Sequence, residues 1–186
     1  MVPTDFKLVS MIQLWINRLM WTLALWVLQV FVLNHIHIYG CITPMVAVYL
    51  ITLFPKNTSR NLLLVWAFCF GLALDVFAAT PGVASASLTA TAFLQPWLLN
   101  RITTKDAPED LVAGRRTLGS WRYFQYLSLV TIFHHGLFFV LEAFSFFHYR
   151  DLILSIVGSW LLSLPFLWAF EYLRSAKKTE ELKNKK

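Results

Sequence analysis

Residues 60–101 read RNLLLVWAFCFGLALDVFAATPGVASASLTATAFLQPWLLNR, and the reading of this stretch decides the fold. Two apolar runs, 62–79 and 83–99, meet at Thr80-Pro81-Gly82. A helix of about 20 mostly apolar residues crosses the hydrocarbon core of a bilayer, so each run is fully or nearly long enough to span. Arg60 and Arg101 stand at the two open ends of this hairpin, and Asp75 is the one charged residue between them. Basic residues are retained on the cytoplasmic side, so the hairpin enters from inside and turns outside at Thr80. Thr80 is suited to N-cap the second helix, and Pro81 to fill its first turn. From Gly82 onward the surface is built of small residues, among them Ser85 and Ser87, which let neighbouring helices approach closely in lipid.

The same criterion applied outward finds runs at about 14–33, 36–54, 123–147 and 152–173, six spans in all. Composition agrees: 58% of the residues are hydrophobic and 14% charged, whereas soluble chains carry about 25% charged residues. Eight Trp and six Tyr suit helix ends at headgroup level. The weakest run is 36–54, whose clean apolar part, 42–54, is short and contains Pro44; a re-entrant segment is the alternative there. Charge decides in favour of crossing. With six spans and a cytoplasmic N-terminus, fifteen of the sixteen basic residues fall inside, and only Arg150, beside Asp151, falls outside. The expectation is therefore an all-α six-helix transmembrane bundle over 1–174 with both termini cytoplasmic, followed by a lysine-rich tail, 175–186, expected to be frayed or disordered. The net charge of +6 flanks apolar runs, which assigns it to the anionic leaflet of the bilayer and excludes nucleic acid.

The outer connections are short: 34–41, 80–82 and 148–151. The longest polar piece, 100–122, has acids at Asp106, Glu109 and Asp110 ahead of a basic patch, and reads either as a docking segment or as a solvated connector. Cys41 and Cys69 match no metal or redox spacing and read as small hydrophobes. The first apolar run has no small-residue cleavage site after it, so it is expected to remain as a span.

Ionisable groups at membrane depth are costly, about 2.5–3.5 kcal/mol for Asp at a helix centre. Asp75 and Glu142 lie in the outer halves of their spans; His134 and His135 enter the fifth span two turns before Glu142, with His135 and Glu142 on one face. The functional reading is a polar site facing the interior or an outward cavity. The structural reading has Asp75 hydrogen-bonding the broken backbone at Thr80-Pro81-Gly82 and Glu142 reaching the outer interface. Glu171, one turn before Arg174, reads as half of a surface pair. Ser155, Ser159 and Ser163 form a second small-residue ridge, expected to contact another helix of this chain or of a partner. No metal-protease motif, phosphate loop or nucleophile context occurs, so no catalytic residue, metal or cofactor is assigned, and the chain reads as a non-enzyme.

The segment Gly71-Leu-Ala-Leu-Asp75-Val-Phe-Ala-Ala-Thr-Pro81-Gly82-Val-Ala-Ser-Ala resembles the rod shape-determining membrane protein family MreD, in the form associated with Bacteroidetes. Further similarity lies at Leu33–Gly40, Leu53–Thr58, Leu94-Gln95-Pro96 and Leu141–Phe147, covering nearly the whole chain except its tail. The resemblance implies a non-enzymatic inner-membrane subunit of the cell-elongation machinery. Such a subunit binds the bitopic scaffold MreC and, through it, connects the filament protein MreB to a RodA-type glycosyltransferase and its transpeptidase, organising peptidoglycan synthesis and cell shape. It further implies likeness to the six-helix S-components of energy-coupling-factor transporters, from which comes the alternative of a substrate-binding subunit for vitamin import, with Asp75, Glu142, His35 and His37 as polar groups. A homo-oligomer is left open.

Overall fold

A computed structural model of the chain describes residues 4–36, 41–104, 107–108, 110–143 and 149–183. Its elements are α1 (Thr4–Phe31), a 3-10 turn (Leu33–His35), α2 (Tyr49–Thr52), α3 (Arg60–Ala78), α4 (Val83–Ile102), α5 (Arg115–Leu118), α6 (Ser120–Ala143) and α7 (Tyr149–Lys183). No strand occurs among the described residues. Four stretches are long and apolar enough to cross a membrane: Trp15–His35, Arg60–Ala78, Ser120–Ala143 and Tyr149–Ala176. The protein is an all-helical membrane protein on these grounds, and its outer surface agrees. Phe68, Leu72 and Val76 of α3 and Ile153, Val157 and Leu161 of α7 stand exposed in apolar stripes that water would not tolerate.

The helices pack in the order α1–α3–α4–α6–α7, with α4 in the middle. Its 20 residues suffice to span, but it is the least apolar of the long helices before the tail because its inward face carries Ser85, Ser87, Thr91 and Gln95. Those side chains are buried between α3 and α6, where helix neighbours replace lipid. Around them the core closes on Leu25, Leu88, Leu99, Leu127 and Leu167, with Tyr49, Tyr123 and Tyr126 fully buried toward one end.

The run 36–54 is where the structure departs most from a simple helix count. Only Tyr49–Thr52 is α-helical; residues 42–46 are not, while Met45 through Phe54 are buried. Thr43-Pro44 explains this. Pro44 has no N–H to give, and it disfavours helical backbone at the residue before it. Non-helical backbone inside a bundle must find other partners. Thr43 N–H donates to Ser159 Oγ (2.9 Å), Met45 N–H to Ser163 Oγ (2.8 Å) and Val46 N–H to Gln29 Oε1 (2.8 Å). Gln29 Nε2 in turn donates to the Pro44 carbonyl (3.2 Å). The serine ridge of α7 is thus a ladder for this unwound segment, where the sequence suggested a helix-to-helix contact. Gly158 belongs to the same surface: a Cβ there would lie 2.6 Å from the Ile42 side chain.

The segment runs beside α7 in the same direction, Thr43 level with Ser159, Met45 with Ser163 and Tyr49 with Glu171. At the far end Lys56 N–H donates to the Leu111 carbonyl (2.9 Å), and Pro55 and Val112 form a bridge. The middle of the 100–122 connection is therefore docked: Leu111 and Ala113 are buried. Asp106 and Glu109 lie outside the described residues. Helix α7 continues through Lys183, so most of the expected frayed tail is helical as far as it is described.

Candidate functional site

Helix α3 ends at Ala78, with Ala79 in the left-handed region (φ 54°). The chain then turns through Thr80 and Pro81 to Gly82, also left-handed (φ 86°), and α4 starts at Val83. Thr80 and Pro81 therefore lie ahead of the helix instead of serving as its cap and first turn. The cap comes from the neighbouring helix. Asp75 Oδ1 accepts from Ala84 N–H (2.7 Å) and from the Thr80 hydroxyl (3.1 Å), and Oδ2 accepts from Ser85 N–H (2.9 Å). Val83 N–H donates to the Thr80 carbonyl (3.1 Å) and Ala86 N–H to that of Gly82 (3.1 Å), so the first turn of α4 has all its donors matched. A buried carboxylate at a helix N-terminus is further stabilised by the helix dipole.

Gly71, one turn before Asp75, makes this approach feasible. A Cβ at Gly71 would collide with the Ser85 backbone, reaching 2.7 Å from its nitrogen. Gly71 and Asp75 share one face of α3, and together they seat α4 directly on it. This is why an acid can lie in an apolar span with only 4% exposure.

A cavity of about 40 Å³ lies under this junction, among Gln29, Asn34, Met45, Thr80, Leu88 and His134. His134 is buried, and its Nδ1 has no partner. His135 points elsewhere: Nδ1 is 2.8 Å from the Thr131 carbonyl and Nε2 is 3.1 Å from Ser163 Oγ. It thereby buttresses the serine that holds Met45. Glu142 is exposed near the end of α6, whereas Asp75 and His135 are buried. His35 is exposed, and His37 lies outside the described residues.

A second polar centre sits at the opposite end of the bundle, and it corrects the surface reading of Glu171. That residue is 2% exposed. Its Oε2 accepts from the hydroxyls of Tyr49 (3.0 Å) and Tyr123 (3.3 Å) and faces Arg174 Nε at 3.4 Å. Its Oε1 accepts from Arg115 N–H (3.0 Å) and the Ser175 hydroxyl (3.3 Å). Arg174 Nη2 donates to the Ala113 carbonyl (2.8 Å), and Gly114 leaves room for both side chains. One carboxylate thus joins the second segment, α6, α7 and the docked connection. Gln29 was equally open to notice, as an amide in an otherwise apolar run, and Tyr49 and Tyr123 as partners for an acid.

No group of three or more His, Cys, Asp or Glu residues among those described could hold a metal ion. Comparison of the chain with protein families, with curated proteins and with solved structures gives no match.

Proposed function

We propose that the chain is a multi-pass, non-enzymatic subunit of the bacterial inner membrane, akin to MreD, which holds the transmembrane helix of an MreC-like bitopic protein within the cell-elongation complex. The observation that carries this reading is the use made of Asp75. Both its oxygens are committed to the start of α4 and to Thr80, so the most conspicuous charge of the MreD-like segment serves packing. Six crossings follow if α1, α3, α4, α6 and α7 span as helices and the segment up to Phe54 crosses partly unwound beside α7. Both termini are then cytoplasmic, and the Glu171 centre lies at the cytoplasmic end with Arg115, Arg116 and Arg174. Through its partner the bundle influences the filament, the RodA-type glycosyltransferase and the transpeptidase.

A second reading, capture of a small molecule for import, has one observation in its favour: the cavity beneath the Thr80 turn, whose mostly apolar wall includes Asn34, Thr80 and His134. At about 40 Å³ it has room for roughly three waters, far from the size of a vitamin. Depletion of the protein in its own rod-shaped host, together with affinity purification, separates the two. Rounded cells and recovery of an MreC-like bitopic protein support the scaffold; normal cell shape with a small molecule retained by the purified protein overturns it.

A further inference from the structure

The His134 cavity has a property that neither reading uses. An apolar void of this size stays dry, whereas a polar one fills when a water can find two to four partners. His134 Nδ1 is buried and unmatched, and a polar atom left so is destabilising. Whichever ring nitrogen carries the proton, Nδ1 of a neutral His134 needs a partner, a donor for its lone pair or an acceptor for its N–H. Water can be either, and about 40 Å³ admits roughly three molecules of it. Gln29 cannot serve: its Nε2 is engaged by Asn34 Oδ1 (2.8 Å) and the Pro44 carbonyl, and its Oε1 by Val46 N–H. No side chain of the cavity wall closes the gap.

We infer that this cavity is a water site, in which two or three ordered waters are held by His134 Nδ1 and by the Asn34 and Thr80 side chains, inside an otherwise apolar bundle and against the unwound stretch at Pro44 and Met45. The waters complete the hydrogen bonding of the few polar groups in a mostly apolar wall beside the break in the second segment. They also give that backbone an alternative set of partners, so the break is the place where the bundle can rearrange without stranding a donor. The inference is independent of the scaffold function and stands or falls separately from it.

X-ray hydroxyl-radical footprinting of the full chain in lipid nanodiscs, read by mass spectrometry, tests it, because radicals form where water is bound. Met45 lines the cavity and is 8% exposed; Cys69, mid-way along α3, is exposed to lipid and is the dry sulfur control. Met45 is expected to oxidise several-fold faster than Cys69. A Met45 rate at or below that of Cys69 overturns the inference, whatever the variants do. His134→Gln, which retains an acceptor, should keep Met45 labelling, and His134→Leu should lower it to the Cys69 level. Undiminished labelling in folded His134→Leu overturns the role given to His134.

Discussion

Asp75 and Glu171 are the two buried carboxylates around which the described bundle is organised, and they differ in what an altered side chain would strand. Asp75→Asn keeps one acceptor oxygen and should lower the melting temperature in detergent only slightly. Asp75→Leu leaves the Ala84 and Ser85 N–H groups without partners, at about 1–3 kcal/mol each, and should lower it strongly. Equal loss from both substitutions would show that charge, not hydrogen bonding, is what the site needs. At Glu171 the pattern predicts a local effect as well. Glu171→Leu leaves Arg174 uncompensated, a change worth about 3–5 kcal/mol where a buried pair is broken. It also frees the Arg115 N–H, so trypsin should cut at Arg115 and Arg116 much faster than in the parent, whereas Glu171→Gln should be intermediate. Asp75 could be singled out from sequence because an acid in an apolar run is conspicuous. Glu171 could not, since its spacing to Arg174 is also that of an ordinary surface pair, and its partners Tyr123, Arg115 and Tyr49 lie 48, 56 and 122 residues away in the chain.

At the scale of elements, the unwound segment beside α7 decides how the bundle is filled. Its amides are held by one side chain each, so single changes should expose it. Ser163→Ala leaves Met45 N–H unmatched, and Gln29→Leu does the same to Val46 N–H; each should cost about 1–3 kcal/mol in thermal unfolding. A substitution on the lipid side of the same helix, such as Leu161→Ala, should cost far less, because that side chain is already exposed. At the α3–α4 crossing, Gly71→Ala forces a methyl into the Ser85 backbone and should destabilise by about 1–3 kcal/mol or more, as overpacking does. The helix pair itself was legible: two apolar runs, a Pro-Gly turn and small residues locate α3 and α4 to within a few positions. The break at 42–46 was half legible, since Pro44 marks it. What satisfies the freed amides was not, because the serines and the glutamine that do so also read as a packing ridge and an isolated polar residue.

For the whole molecule, orientation is the property most directly open to measurement. If the basic residues set it, reporter fusions at both ends of the chain should be active only in the cytoplasm, and an accessible cysteine placed at Pro81 should react with an impermeant reagent from outside. A reactive Pro81→Cys on the cytoplasmic side would invert the proposed topology. The sequence by itself determined that the chain is helical and apolar enough for a membrane, because length and hydropathy are local quantities that a 20-residue window already contains. It also pointed to the hairpin at Thr80-Pro81-Gly82 and to Asp75 as the residue that had to be explained. Only the tertiary structure decided that Asp75 caps α4 from α3, that the serine ridge of α7 feeds an unwound segment, and that Glu171 ties the 111–115 stretch to the bundle. Each of those depends on which polar atom meets which across long separations in the chain, and in an apolar interior that pairing, not the residue's identity, sets whether a polar group stabilises or costs.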